Sequence, residues 1–279
     1  MKITIWGTRG SIPSPSPENN KYGGNTSCVQ VTTDDAYVIL DAGSGIRRLG
    51  FNVPSEVRRI DILLTHLHMD HIMGLGFFKP LYDPNITVNI WGPTASGESL
   101  HNRLMRYLSP PLFPIRLHDL PSQPNLFEIN HSEFQIGSLK INSAYVCHPG
   151  PTLGFRLDTG NAVLTYIPDH EPVLGSANFP NDPKWTSGYD LAHGADLLFH
   201  DAQYSAQEYL PRVGWGHSSI GDALKFGELT KVKRMLFFHH DPGHSDKELK
   251  TLLDEGTNGK TFPFEVGIAA EGDVFDLRK

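Results

Sequence analysis

Short apolar runs, separated by turns rich in Gly, Pro, Asn and Asp, recur along most of the chain. Such runs predict strands, and Asp34-Asp35 between two of them predicts a hairpin of residues 26–31 and 36–40. Other strands are predicted at 3–6, 59–64, 87–91, 139–146, 153–157, 162–167, 197–199 and 235–238, with further short strands within 126–168. The pattern predicts hairpins early in the chain and isolated strands later.

Helices are predicted where apolar residues recur at helical spacing or where capping residues precede an apolar run. Residues 96–108 place Leu100, Leu104 and Leu108 on one face, which predicts an amphipathic helix. Helix starts are predicted at Ser205 with Glu208, at Ser219, and at Ser245 with Glu248. Gly256 is predicted to cap the last of these helices.

Composition and charge indicate how many domains the chain forms and which kinds of partner it can bind. Because no repeat or linker is visible, the 279 residues are expected to form one domain over 1–279, with two mixed β-sheets and helices outside. The net charge of −7 and the absence of a polybasic run argue against long nucleic acid as a partner. Small anionic substrates remain open.

The cysteines and the lengths of the apolar runs indicate where in the cell the protein is located. Cys28 and Cys147 lie far apart and are expected to be reduced rather than joined in a disulfide. The N-terminus lacks the features of a signal peptide, and no apolar run is long enough to cross a membrane. A cytoplasmic protein with no membrane partner is therefore expected.

The chemistry of the chain is concentrated in residues 65–71, directly after the apolar run Ile62-Leu63-Leu64. Four potential metal ligands lie in this stretch: His66, His68, Asp70 and His71. Burying imidazoles without partners is costly, and a bound metal ion would supply the partner. The stretch is predicted to begin two metal sites, and the alternative is a solvated histidine-rich loop.

Further candidate ligands follow other apolar strands in the same way. His148, Asp169 and His239 each come directly after a predicted strand, which favours them as the remaining ligands. His200-Asp201 also follows a strand, and His217 precedes a predicted helix. Asp201 and His217 could form a pair for proton transfer, although a surface Asp and a helix-start His would show the same pattern.

These residues resemble the motifs of the metallo-β-lactamase superfamily, specifically its phosphodiesterase branch, which includes ribonuclease Z and related cyclic-nucleotide phosphodiesterases. Residues 65–71 match the H-x-H-x-D-H motif. The other similar stretches are Gly7-Thr8-Arg9-Gly10-Ser11, Asp41-Ala42-Gly43-Ser44-Gly45, His200-Asp201-Ala202, Gly216-His217-Ser218-Ser219 and Phe238-His239. The resemblance covers nearly the whole chain and implies a four-layer αββα sandwich, in which two mixed β-sheets are flanked by helices.

The resemblance also implies roles for individual residues. One metal would be held by His66, His68 and His148, the other by Asp70, His71 and His239, with Asp169 bridging both. Asp201 and His217 would be the acid–base pair, and Asp70 is counted with the catalytic residues. His240 and Asp41 are expected to contact the substrate or to support the ligands. The chain departs from the family pattern at Asp201, where a glutamate is usual, and at His239-His240, where ribonuclease Z has one histidine.

The function implied is hydrolysis of a small phosphodiester, such as a cyclic nucleotide, by a hydroxide bridging two divalent metal ions. Zinc is the expected metal, with manganese or iron as alternatives. The alternative functions are a lactonase or thioesterase-type hydrolase and an RNA-processing nuclease like ribonuclease Z. The loop 109–124 is expected to wall the pocket or to serve a homodimer.

Overall fold

The strands of the computed structural model, which describes residues 1–174, 179–180 and 182–277, form two sheets of seven strands each. The first sheet has the order β14-β1-β2-β3-β4-β5-β6 and consists of β1 (Lys2–Gly7), β2 (Cys28–Thr32), β3 (Tyr37–Leu40), β4 (Arg59–Leu63), β5 (Thr87–Pro93), β6 (Asn125–Ile129) and β14 (Val274–Asp276). The second has the order β13-β12-β11-β10-β9-β8-β7 and consists of β7 (Ser132–Ile136), β8 (Leu139–Tyr145), β9 (Leu153–Asp158), β10 (Val163–Ile167), β11 (Leu197–Asp201), β12 (Arg234–Phe238) and β13 (Glu265–Ile268).

Both sheets are mixed. In the first sheet, β1, β2 and β3 pair antiparallel, whereas β3 to β6 pair parallel. In the second, β7 to β10 pair antiparallel, whereas β10 to β13 pair parallel. The carboxyl ends of neighbouring parallel strands lie at one edge of a sheet, which is where open α/β sheets place their ligand sites.

The helices are short apart from the last two. Their bounds are α1 (Ile46–Gly50), α2 (Met69–Ile72), α3 (Leu100–Met105), α4 (Tyr189–Ala192), α5 (Ala206–Tyr209), α6 (Ile220–Thr230) and α7 (Asp246–Thr257). Single 3-10 turns occupy Pro17–Asn19, Leu75–Phe77, Lys79–Tyr82, Leu117–Asp119, Pro183–Trp185 and Leu210–Arg212. The predicted start residues Ser205, Ser219 and Ser245 each cap a helix, and both predicted capping boxes are formed.

Three apolar clusters define the layers. Alternate residues of a strand belong to different clusters, because side chains of a strand point to opposite faces of the sheet. Val38 of β3 packs in the cluster between the sheets together with Phe155 and Phe199, whereas Ile39 packs on the outer face with Leu49 of α1. A third cluster lies outside the second sheet, where α4 and α6 cover it. The predicted sandwich of two mixed sheets flanked by helices is confirmed.

Some predicted boundaries are wrong. The helix expected over 96–108 is only α3, Leu100–Met105, because Ser99 is its N-terminal cap and the chain before it is not helical. Gly256 does not end α7, which continues to Thr257. A Cβ at Gly256 would lie 2.7 Å from Ile220 of α6, so glycine is needed there for helix packing. The strands β13 and β14 were not predicted, since both are short and partly exposed.

Candidate metal centre

The seven candidate ligands form two groups at the carboxyl ends of the strands. The donor atoms of His66, His68, His148 and Asp169 lie within 4.8 Å of one another, and so do those of Asp70, His71 and His239. Asp169 is near both groups: its Oδ2 lies 3.8 Å from His66 Nε2 and 3.2 Å from His239 Nε2. Asp169 therefore lies within reach of both groups, which is where the bridging residue expected from the sequence would have to be.

The local fold of residues 65–71 explains how one short stretch serves both groups. β4 ends at Leu63, and His68, with extended backbone, is the N-terminal cap of the single-turn helix α2. His66 and His68 precede the turn, whereas Asp70 and His71 lie within it. The change from extended chain to helix directs the first two side chains to one group and the last two to the other.

The four buried histidines of the centre are each fixed by a partner at the ring nitrogen that faces away from it. The pairs are His66 Nδ1 with Thr65 Oγ1 (3.1 Å), His71 Nδ1 with Asp41 Oδ2 (2.8 Å), His148 Nδ1 with the Gly216 carbonyl (2.8 Å) and His239 Nδ1 with Gln203 Oε1 (3.1 Å). Such partners set the tautomer and orientation of metal-binding imidazoles. In all four residues Nε2 is left for the centre.

Asp41 lies behind the ligands and is fully buried. Its Oδ1 accepts a hydrogen bond from the Thr65 amide at 2.8 Å, and its Oδ2 lies 2.8 Å from His71 Nδ1. The Tyr166 hydroxyl donates to Oδ2 at 3.0 Å. Of the two roles expected for Asp41, this placement fits support of a ligand and not contact with a substrate.

The Gly-rich loop after β1 closes the other side of the second group. The Ser11 amide donates to Asp70 Oδ2 at 2.7 Å, with Ser11 at a φ of 62°. The His239 ring lies directly against Gly10, where a Cβ would be 2.3 Å from ring atoms. This loop therefore positions both a carboxylate and an imidazole of the centre.

His240 lies outside the centre. It is 1% exposed, and its Nε2 lies 3.0 Å from the Ala269 carbonyl oxygen. Burial lowers the pKa of His240 to about 3. The expected contact of His240 with a substrate does not fit this placement, because the ring is enclosed and already paired. Of the two adjacent histidines, His239 is the one beside Asp70 and Asp169.

The protonation states of His66, His148 and Asp169 suit cations. Burial lowers the pKa of His66, and its Nε2 is a buried atom with no hydrogen-bond partner among the described residues. Burial also lowers the pKa of His148, to about 4. Burial alone would raise the pKa of Asp169, but His239, His71 and His66 hold it well below its usual range. Neutral imidazole and ionised carboxylate are the forms that bind metal ions, so the donor set fits divalent cations.

Asp201 and His217 are brought together beside the centre. Asp201 Oδ2 lies 2.7 Å from His217 Nδ1, and its Oδ1 accepts from the Ser218 amide at 3.1 Å. The His217 ring stacks on His239, with ring centroids 4.9 Å apart and planes at 15°. Donor atoms of His217, His239 and Asp169 lie within 4.8 Å of one another. The pair is formed with Asp201 in the place of the usual glutamate.

Gln203 and Glu171 support the centre and were not predicted from the sequence. Gln203 fixes His239 from behind, as described above. Glu171 is buried and accepts hydrogen bonds from the amides of Gly214 (3.0 Å) and Gly216 (2.9 Å). It thereby holds the segment that carries His217 and supports His148. Only their spacing, two residues after Asp201 and Asp169, distinguishes these two residues in the sequence.

Comparison with known families identifies the chain. Residues 36–240 match the model of the β-lactamase superfamily domain. The chain belongs to this family. The match extends from the residue before β3 to His240 and so includes all seven candidate ligands. The protein is accordingly a hydrolase of the metallo-β-lactamase superfamily, as the sequence predicts.

Similar proteins cover most or all of the chain. Ribonuclease Z of Pyrococcus furiosus is 26% identical over 91% of this chain and 91% of its own. Among solved structures, the metallo-β-lactamase fold protein YhfI from Bacillus subtilis has a TM-score of 0.71 at 19% identity, covering 99% of both chains. Human tRNase Z, short form, has a TM-score of 0.67 at 20% identity and covers 100% of both chains. These structural likenesses establish the fold.

Among the described residues, no helix has the length and apolar character needed to cross a membrane.

Proposed function

We propose that this hydrolase cleaves phosphodiesters at a centre of two divalent cations. The observation that carries the proposal is the position of His217, which is held by Asp201 and faces Asp169 and His239 where the two ligand groups meet. A thioesterase has less need of such a group, because a thiolate departs without a proton. An alkoxide leaving group of a phosphodiester, in contrast, needs a proton donor.

The ligands proposed for one cation are His66, His68 and His148, and those for the other are Asp70, His71 and His239, with Asp169 shared. Bound cations of this kind lower the pKa of water and stabilise charge on phosphoryl oxygens. Zinc is the proposed metal, because imidazole and carboxylate donors suit it, although they also suit iron and manganese.

The residues of the chain would orient these groups and supply the proton. With His217 Nδ1 directed at Asp201 Oδ2, its Nε2 is the atom available to the substrate. A proton at Nε2 can pass to the departing oxygen, and Asp201 stabilises the imidazolium before transfer. Asp41 keeps His71 in the tautomer that directs its Nε2 at Asp70 and Asp169.

Two substrate classes compete. Relatives named ribonuclease Z, such as the Pyrococcus furiosus enzyme at 26% identity, support an RNA-processing nuclease. This is one of the alternative functions expected from the sequence. The net charge of −7 supports the small diester. The alignment with the Pyrococcus furiosus enzyme spans 304 positions, more than the 279 residues here, so that enzyme contains segments without a counterpart in this chain. The comparisons favour the RNA substrate over the small diester expected first.

The decisive experiment is a substrate panel on protein whose metal content has been measured. Bis(p-nitrophenyl) phosphate, a cyclic nucleotide, a precursor tRNA with a 3′ trailer, a lactone and a β-lactam would be compared. We expect hydrolysis of phosphodiesters and little turnover of the lactone or β-lactam. Preferential hydrolysis of a carbonyl substrate would overturn the proposal. The single domain over 1–279, the cytoplasmic location and a homodimer stay predictions.

A further inference from the structure

A cavity of ≈ 390 Å³ opens beside the first group of candidate ligands. His66 and His68 line it, together with the segment that follows His148. Leu67 and Leu112 are among its apolar lining residues. The volume lies within the range typical of small-molecule sites. Because ligands of the centre form part of its wall, the cavity can hold the portion of a substrate next to the reacting phosphate.

Two arginines at the end of α3 line the same cavity. Arg103 donates from Nη2 to the Pro93 carbonyl oxygen, and its Nε is buried with no hydrogen-bond partner among the described residues. Arg106 forms an ion pair with Glu98, and its side chain is 74% exposed. An exposed pair of this kind is weak and easily exchanged for another anion.

The cavity lining contains arginines but no acidic side chain among the described residues. Two arginine side chains therefore line a cavity that adjoins the centre. Planar guanidinium groups match the oxygens of phosphate and can bind them with two parallel hydrogen bonds. The exposed apolar side chain of Met69 also lines the cavity and suits contact with a nucleobase.

We infer that the cavity binds a second phosphoryl group of the substrate, with Arg103 and Arg106 as specificity-determining residues. The inference rests on the proposed phosphodiesterase function and names its substrate class: a diester with a further phosphate on one arm, as in an oligonucleotide. A cyclic mononucleotide has only the phosphate that is cleaved. An oligonucleotide could therefore place a second phosphate in this cavity, whereas a cyclic mononucleotide could not.

Two inhibitors that differ by one phosphate test the inference. Thymidine 5′-phosphate and thymidine 3′,5′-bisphosphate would be measured as competitive inhibitors of bis(p-nitrophenyl) phosphate hydrolysis. Their direct binding to zinc-loaded protein would be measured by calorimetry. We expect the bisphosphate to bind at least about tenfold more tightly, as charge-assisted hydrogen bonds allow. In Arg106→Ala this ratio should fall severalfold, and in Arg103→Ala it should approach one.

Arg47→Ala is the matched control, because Arg47 is an exposed arginine on α1 that does not line the cavity. The Arg47→Ala protein should show the same ratio of bisphosphate to monophosphate affinity as the unsubstituted protein. Arg106→Ala removes an exposed side chain, so it reports on binding even if Arg103→Ala fails to fold. Equal binding of the two inhibitors, or an unchanged ratio in Arg106→Ala, would overturn the inference. If no diester is hydrolysed, the proposed function fails. Calorimetry still measures the ratio of the two inhibitor affinities, so the inference about the cavity is tested separately.

Discussion

At the scale of single residues, the centre depends on groups that hold the ligands as much as on the ligands. Asp41 shows this most clearly, since its carboxylate accepts from Thr65 and Tyr166 and lies 2.8 Å from His71 Nδ1. With the Nδ1 proton of His71 directed at Asp41, Nε2 faces Asp70 and Asp169 and is the atom available to a cation. The negative charge of Asp41 also raises the basicity of that imidazole.

Asp41→Asn should weaken cation binding in the second group, by about 10–100-fold, as loss of such a partner does elsewhere. The amide is neutral and can turn its NH₂ toward His71, which disfavours the tautomer needed. Competition with a chromogenic chelator would measure the affinity. Asp34→Asn is the control, because Asp34 lies in an exposed turn. Unchanged affinity in Asp41→Asn would contradict the support assigned to this residue.

His217→Ala should separate substrates by their leaving groups. Alkyl phosphodiesters should be hydrolysed about 10²–10⁴-fold more slowly, the usual contribution of a proton donor. Nitrophenyl diesters should lose far less, since nitrophenolate departs without a proton. Steady-state rates on both classes measure the effect, with His193→Ala, at an exposed histidine, as the control. Equal losses on the two classes would exclude His217 as the donor.

At the scale of elements, loops and strand ends converge on the centre because they carry glycine where side chains must approach. Gly10 lies against the His239 ring, and Gly216, at a φ of 85°, lies against His148. Both glycines come from the loops that follow or precede regular elements. Each permits a backbone-to-imidazole distance that any Cβ would prevent.

Gly10→Ala should displace His239 and lower both cation affinity and hydrolysis. The new Cβ would lie 2.3 Å from the ring, and such overpacking costs about 1–3 kcal/mol. Gly221→Ala is the matched control, since its Cβ would meet only Ser219 Oγ at an ordinary 3.7 Å. Metal content and thermal unfolding would be compared. A Gly10→Ala protein with full metal content and activity would show that the ring adjusts freely.

The sequence predicts elements better than it predicts the support around the site. Strand ends followed by His or Asp are local patterns, so Asp169 and His239 could be picked out before their distance was known. Tyr166 and Gln203 could not, because Tyr166 reaches Asp41 and Gln203 reaches His239 only through the fold. The strand β14 was missed for the same reason: it exists by pairing with β1, at the other end of the chain.

At the scale of the whole molecule, the centre joins the two sheets. His66 to His71 follow β4 of the first sheet, whereas Asp169 and His239 follow β10 and β12 of the second. Cations shared between these strand ends would cross-link the layers. Any ligand that binds only the folded state stabilises it by mass action. The stability of the fold should therefore depend on metal.

Removal of metal by a chelator should lower the melting temperature. Zinc at about 100 times its dissociation constant contributes about 2.7 kcal/mol, which corresponds to roughly 5 °C for a chain of this size. Differential scanning calorimetry before chelation, after chelation and after zinc is restored measures the shift. Chelated Asp169→Asn protein is the control and should respond little to zinc. A melting temperature that is independent of zinc would show that cations do not stabilise the fold by linking the two sheets.

The stabilisation by metal should also increase with pH. Burial alone would lower the pKa of His239, but Asp169 and Asp70 raise it to about 9, and the pKa of His71 is raised by the same carboxylates. In the metal-free protein, protonated His239 stabilises the fold below its unfolded pKa of about 6.5, and this contribution is lost as the pH rises through about 9.

The metal-loaded protein lacks this dependence over the same pH range, because His239 must lose its proton to bind a cation. The difference in melting temperature between loaded and metal-free protein should therefore grow from about pH 6.5 to about pH 9. Paired calorimetry across this range measures it. His239→Gln removes the titrating group and should flatten the dependence. A difference that stays constant or falls with pH would mean that the proton on His239 does not compete with metal.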